Sequence, residues 1–261
     1  LTWNIILVKT LQVDQLQVTV YQTNSVLGAV AALDASRTIQ DAVGRRGTAN
    51  IILATGNSQL SFLHSLRGRA DIDWAKVNIF HLDEYIGLSP IHPASFSRFL
   101  KEHLIDDVKP RNFYPIYDGV QNAEQACQAY ETLLRQHPIN MVALGIGENG
   151  HIAFNDPPHV RFDDPALVRV VELAEASRRQ QVGEGHFGSI DEVPSHAITL
   201  TIPAILTAKH ILAIVPEARK APAVGACLQE AISEARPASI LRQTPHAILY
   251  LDQDSASGLE L

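Results

Sequence analysis

Short apolar runs alternate with amphipathic segments along nearly the whole chain. Val18-Thr19-Val20-Tyr21 reads as a strand; after it Val26, Val30, Leu33 and Ile39 keep near-helical spacing behind Asn24 or Ser25 as the cap. Asn50-Ile51-Ile52-Leu53-Ala54 is a continuous apolar run, as a strand buried on both faces requires. It breaks at Thr55-Gly56-Asn57-Ser58, and Leu60, Leu63 and Leu66 then mark a helix. Residues 77–82 form a further strand ending at Asp83-Glu84-Tyr85, and 94–104 and 123–136 read as helices. A strand at 141–144 ends in Gly145-Ile146-Gly147; others follow at 169–173, 197–201, 211–215 and 247–251, with a helix at 220–231 between the last two. The Pro- and Asp-rich stretch 156–165 reads as a long, mobile loop, and the Pro, Gly and Asp content of 156–187 permits closure as a lid.

This alternation predicts an α/β fold in one domain: a mainly parallel sheet covered by helices on both faces. The domain spans 18–252, with 1–17 as an N-terminal extension and 253–261 as a C-terminal tail. In such sheets ligands bind beyond the carboxyl ends of the strands. Three polar clusters stand at those ends: Thr55–Ser58, Asp83–Tyr85 and Gly147–Asp156.

Composition narrows the chemistry. The 261 residues are 46% hydrophobic and carry a formal net charge of −7, with no Lys/Arg cluster. A nucleic-acid partner is therefore not expected, whereas one phosphate on a small substrate needs only a few local donors. No run of about 18 apolar residues suggests a membrane span. The first residues lack the basic and apolar regions of a secretory signal, so a cytoplasmic setting is expected. Cys127 and Cys227 sit in no metal or redox spacing, and the eleven histidines are scattered, so no metal is expected. Oligomeric state stays open, a homo-oligomer included, because apolar interface positions look like core positions.

The turn Thr55-Gly56-Asn57-Ser58 joins a strand to a helix. Its N–H groups, hydroxyls and helix dipole suit a phosphate, and an ordinary capped turn fits the same residues. Gly145-Ile146-Gly147-Glu148-Asn149-Gly150 has the spacing of a dinucleotide fingerprint, but that motif must open a helix, and Pro157-Pro158 forbid a long one here. The glycines instead suit a tight turn and a close backbone approach. His151 follows, with Asn149 two residues before and Asp156 five after. It can exchange protons near neutrality, and a neighbouring carboxylate would orient its ring. No Ser or Cys nucleophile motif accompanies it, which favours proton transfer over covalent catalysis. Adjacent strand residues point to opposite faces, so one of Asp83 and Glu84 faces the pocket while the other is free to serve as a loop or helix-cap carboxylate.

Phe80-His81-Leu82-Asp83-Glu84-Tyr85-Ile86-Gly87-Leu88, then His92-Pro93-Ala94-Ser95-Phe96, resembles the aspartate motif of the glucosamine-6-phosphate deaminases. Leu144-Gly145-Ile146-Gly147-Glu148-Asn149-Gly150-His151-Ile152-Ala153-Phe154-Asn155-Asp156-Pro157 resembles their histidine motif. Ala54–Ser58 is similar to their phosphate turn, and Val193-Pro194 with 197–201 to a later strand. The likeness runs from about Val18 to Asp252. It implies a Rossmann-like α/β/α sandwich, no cofactor, and conversion of glucosamine 6-phosphate and water to fructose 6-phosphate and ammonia. It implies Asp83 as the base moving a proton from C2 to C1, His151 as the ring-opening group, and Asp156 as its assisting acid. Asn149 stands beside His151, and Thr55, Gly56, Asn57, Ser58 and Lys220 are implied as phosphate-binding residues.

The sequence also departs from the pattern. Asn149 replaces an aspartate found in some members, and Asp156 stands where a glutamate is expected. The family's arginine before a Phe-Phe pair has no match at Gly183-Glu184-Gly185-His186-Phe187, leaving Arg178 or Arg179 as replacements. A galactosamine-6-phosphate deaminase fits the same residues. A 6-phosphogluconolactonase is expected to carry Asp-Glu-Arg at 83–85, and Asp-Gly-His-Thr with a later Ser-Leu-Phe where this chain has Asn149-Gly150-His151-Ile152 and Phe154-Asn155. A non-catalytic sugar-phosphate sensor of this fold would carry a DNA-binding helix–turn–helix, unlike the strand-like residues before Val18.

Overall fold

The apolar runs become strands whose successive side chains enter two different cores. The computed structural model describes residues 7–116 and 122–259. In chain order the elements are β1 (Leu7–Val13), β2 (Leu16–Tyr21), α1 (Asn24–Arg46), β3 (Ala49–Leu53), α2 (Leu60–Arg67), β4 (Val77–His81) and β5 (Asp83–Tyr85). Next come α3 (Phe96–Leu100), α4 (Asp106–Val108), β6 (Asn112–Tyr114), α5 (Ala123–Gln136), β7 (Met141–Leu144), β8 (Val168–Glu172) and α6 (Glu175–Gly183). The chain closes with β9 (His196–Leu200), α7 (Ile202–Leu206), β10 (His210–Val215), α8 (Ala221–Gln229) and β11 (Ala247–Asp252).

Among the described residues, eight strands form one sheet in the order β1-β2-β11-β10-β7-β3-β4-β6. All its pairings are parallel except β1 with β2. Ile51, Leu53, Ile79, Met141 and Ile214 pack on one side with α1 and α2. Ile52, Phe80, Val142, Ala213 and Leu249 pack on the other with α5, α7 and α8. This is the expected three-layer α/β/α arrangement, and the central strands are buried on both faces because each face has its own helical cover, while the edge strands β1 and β6 stay exposed or half-buried. Cys127 and Cys227 are free thiols buried in the second of these cores.

Four details differ from the sequence reading. Thr23, not Asn24 or Ser25, caps α1, its hydroxyl accepting from Val26 N at 3.3 Å. The helix read over 94–104 starts at Phe96 behind Ser95 and runs into a π-helical stretch, Lys101–Ile105. Residues 7–17 of the segment read as an extension carry β1 and the start of β2, while 1–6 lie outside the described residues. In the stretch read as a tail, Ser255 and Ala256 are buried against the domain, and 260–261 lie outside the described residues.

The largest departure is a second sheet. The strands read at 169–173 and 197–201 leave the parallel sheet and form an antiparallel one, ordered β5-β9-β8. The chain changes sheets between β4 and β5. The Tyr130 hydroxyl of α5 accepts from His81 N at 2.9 Å and donates to His81 O at 3.0 Å. One residue later, Leu82 O accepts from Leu200 N at 2.9 Å. Asp83 thus starts a new strand at the carboxyl end of the old one.

Tyr130→Phe removes both bonds to the His81 peptide in a fully buried place, so it should destabilise the fold by about 1–3 kcal/mol. Urea unfolding measures this; an unchanged midpoint would show that the sheet switch holds without the hydroxyl.

Candidate active site

Beyond the carboxyl ends of β3, β4 and β7 lies a pocket whose walls include Thr55, Gly56, Ser58, Asp83, His151 and Lys220. Asp83 opens β5 and is only 8% exposed. Burial, and then the charges of Glu84 and Asp156, push its carboxyl up to about 8. Glu84 points the other way, as strand geometry requires. Its carboxylate accepts from Tyr85 N, Phe96 N, Ser97 N and the Ser95 hydroxyl, at 2.9–3.1 Å, and so closes the start of α3. Burial still raises Glu84 against those bonds. Of the two adjacent carboxylates, one faces the pocket and the other caps a helix.

His151 is fixed by a compact polar network. Its Nδ1 lies 2.7 Å from Asn149 Oδ1, 3.0 Å from Asp156 Oδ1 and 3.1 Å from Ser177 Oγ. Asn149 Nδ2 donates to the same Asp156 oxygen at 2.8 Å, and Ser177 Oγ donates to it at 2.6 Å. Those bonds fix the Asn149 amide with its oxygen toward the ring. Nδ1 is therefore the nitrogen that carries the proton, which leaves Nε2 to act as base or, once charged, as acid toward the pocket. Burial alone would raise Asp156, but the bonds from His151, Asn149 and Ser177 outweigh it and hold the carboxyl below its usual range.

The glycines serve the histidine itself. Gly150 adopts φ +85° to turn the chain. A Cβ on Gly147 would meet the His151 ring at 2.1–2.3 Å, so the close approach read from the sequence is to this ring. No helix follows, and the next strand is β8 at Val168. Strand β9 ties this loop to Asp83. Thr199 is the register partner of Asp83, and its hydroxyl accepts from Phe154 N at 3.1 Å. Asn155 Nδ2 donates to Ile152 O and Leu200 O, both at 2.8 Å.

At the other end of the pocket, Thr55, Gly56 and Ser58 follow β3, with a 3-10 turn Asn57–Gln59 leading into α2. Asn57 does not line the pocket with them; its side-chain amide donates to Glu184 O at 3.2 Å. Lys220 is 3% exposed, and burial lowers its pKa, with Glu184 opposing the shift. Neither arginine offered by the sequence reaches the pocket. Arg178 Nη2 donates to Ile190 O and Val193 O, at 2.6 and 3.0 Å, and Arg179 Nε pairs with Glu175 at 2.8 Å on the outer face of α6. Helical position did not reveal which face each arginine takes. Arg219, next to Lys220 in the chain, pairs instead with Glu184, whose carboxylate stands near Gly56. The sequence does not distinguish Ser177, Gln180 and Glu184 of the α6 segment either, since polar residues on a polar helix carry no local signal. Among the described residues, no three His, Cys, Asp or Glu side chains gather as a metal site.

Gly147→Ala should drive the His151 ring off the Asn149–Asp156 pair while leaving the sheet intact. The measurement is the hydrogen-bonded imidazole Nδ1–H proton resonance, expected to be lost with an unchanged backbone spectrum. Retention of that resonance would contradict the packing described.

The family model for glucosamine-6-phosphate isomerases/6-phosphogluconolactonase matches residues 22–250. A glucosamine-6-phosphate deaminase of Bacillus cytotoxicus is 35% identical over 219 residues, which cover 84% of this chain and 81% of that protein. One from Bacillus thuringiensis matches with the same identity and coverage. Among solved structures, a monomeric glucosamine-6-phosphate deaminase superposes with a TM-score of 0.83 at 30% identity, over 92% of this chain and 99% of that one. A 6-phosphogluconolactonase from Shewanella baltica shares the fold, with a TM-score of 0.76 at 21% identity over 92% of this chain and 99% of its own. The chain belongs to the glucosamine-6-phosphate isomerase/6-phosphogluconolactonase family.

Proposed function

We propose that this chain converts glucosamine 6-phosphate and water to fructose 6-phosphate and ammonia. The observation that carries this reading is the pairing, on one pocket, of a buried carboxylate with raised proton affinity and a histidine with one free ring nitrogen. Relatives at 35% identity bear the deaminase name, whereas the lactonase cited above, at 21%, speaks only for the fold.

In the proposed sequence, His151 Nε2 takes the proton of the C1 hydroxyl and delivers one to the ring oxygen, so the pyranose opens to the C1 aldehyde. The aldehyde acidifies the C2 proton. Asp83 removes that proton as O1 takes one from the substrate's ammonium group, giving an enolamine, and then returns its proton to C1, leaving a protonated C2 imine. Water adds to the imine, ammonia leaves and the C2 ketone forms. Desolvation makes Asp83 a stronger base than an ordinary aspartate, which suits removal of a carbon-bound proton. Asn149 accepts a hydrogen bond from His151 but cannot exchange a proton with it. Asp156 supports the charge that appears on His151, as in a catalytic triad. Thr55, Gly56, Ser58 and Lys220 hold the phosphate, with Asn57 supporting the turn. Because phosphorylated sugars do not cross membranes unaided, we place the reaction in the cytoplasm.

The reading is tested by following ammonia and fructose 6-phosphate from glucosamine 6-phosphate, with 6-phosphogluconolactone hydrolysis as the competing assay. Amine release is expected; lactone hydrolysis without it would sink the reading. Asp83→Asn should lower kcat by about 10²–10⁴-fold while sugar-phosphate binding persists. Because the active form of Asp83 is the carboxylate, kcat/KM should rise with pH through about 8. In Glu84→Gln the loss of a neighbouring negative charge favours ionised Asp83, so this limb should shift to lower pH. A limb that stays in place would show that Asp83 does not set it.

A further inference from the structure

The phosphate turn already holds an anion of the protein's own. Glu184 follows α6 and reaches over Gly56, its Oε2 standing 3.7 Å from where a Cβ on that glycine would lie. Its Oε1 accepts from Arg219 Nη1 at 2.9 Å and from Gln180 Nε2 at 2.8 Å, and His186 Nε2 lies 3.4 Å from Oε2. The side chain is only 5% exposed. Burial alone would raise this acid, but His186, Arg219 and Lys220 bring it down to about 2, so it is a carboxylate throughout the neutral range.

Charge balance makes that position consequential. Arg219 also meets Glu217 at 2.6 Å and Glu148 at 3.5 Å. Lys220 points into the pocket, nearly fully buried, and among the described residues no carboxylate pairs with it. Two cations therefore face three carboxylates. A phosphate laid on Thr55–Ser58 as the site stands would meet a buried like charge, which opposes its binding. Glu184 lies between Gly183 and Gly185, neither of which has any atom within 4 Å of a would-be Cβ. The Glu184 backbone stays tied to α6 and to Asn57, so it is the side chain that has open space beside it in which to swing.

We propose that Glu184 is an internal stand-in for the substrate phosphate: the phosphate displaces its carboxylate, and Arg219 passes from Glu184 to the phosphate as the second cation beside Lys220. The inference rests on the proposed function in placing a phosphate at this turn. It assigns the second basic residue that Arg178 and Arg179 do not supply, and it makes phosphate affinity depend on the contacts Glu184 gives up.

The test is calorimetric titration of the whole protein with inorganic phosphate at fixed ionic strength. Glu184→Gln keeps the shape and removes the charge, and it should bind phosphate about tenfold tighter than the wild type. Glu184→Asp withdraws the carboxylate by one methylene and should fall between them. Adding Arg219→Gln to Glu184→Gln should abolish the gain. Phosphate bound no tighter by either folded Glu184 variant, a gain that survives loss of Arg219, or no phosphate binding by any form would overturn the proposal. If Glu184→Gln does not fold, Glu184→Asp decides. Tighter phosphate binding by the variants, in a protein that releases no ammonia from glucosamine 6-phosphate, would sink the proposed reaction and leave this inference standing.

Discussion

Between His81 and Asp83 the backbone exchanges one sheet for another, and the site is built on that exchange. Tyr130 takes both backbone bonds of the His81 peptide, and Leu200 takes over at Leu82. His81 is itself held neutral: burial lowers it to about 3, and its Nε2 accepts from Ile116 N at 2.9 Å. The change of partner leaves Asp83 at the mouth of the parallel sheet yet packed under β9. An aspartate in an ordinary loop there would be solvated and a weak base. Here the lost hydration is what raises its proton affinity.

The two aspartates of the site are driven in opposite directions. Asp83 is buried, with two negative neighbours, Glu84 and Asp156, and no hydrogen-bond donor among the described residues, so it rises. Asp156 collects donors from Asn149, Ser177 and His151, so it falls. Environments that push paired acids apart divide acid from base within one pocket. Strand β9 holds the two halves in register through Thr199 and Leu200, so the distance between Asp83 and His151 is set by a strand rather than by loop packing alone. A third buried acid, Glu184 beside Gly56, is likewise held as a carboxylate, by bonds from Arg219 and Gln180.

Much of this is legible in the amino-acid sequence. Wholly apolar runs such as Ile51–Leu53 and Met141–Leu144 can be buried only between two helical layers, and their polar ends marked the pocket. Alternation along the strand separated Asp83 from Glu84. The second sheet is not legible: Arg169 and Glu172 make 169–173 more polar than the central strands, but neither that nor periodicity says which sheet receives it or 197–201. Strand β5 is three residues long and borrows its pairing from β9, more than a hundred positions away. Ser177, Glu184 and Arg219 act through positions set by tertiary packing, and no local pattern distinguishes them from solvated helix and loop residues. The sequence does not mark Thr23 as the cap because Asn24 and Ser25 are equally suited and only the backbone angles choose among them.

The account stands most directly on the state of one carboxyl group. Carbon-13 titration of aspartate-labelled protein, with the Asp83 resonance assigned through Asp83→Asn, reads that group without reference to any substrate. The account predicts a midpoint near pH 8, set by burial first and by Glu84 and Asp156 second. A midpoint near the ordinary aspartate value of about 4 would contradict it, and with it the assignment of Asp83 as the base.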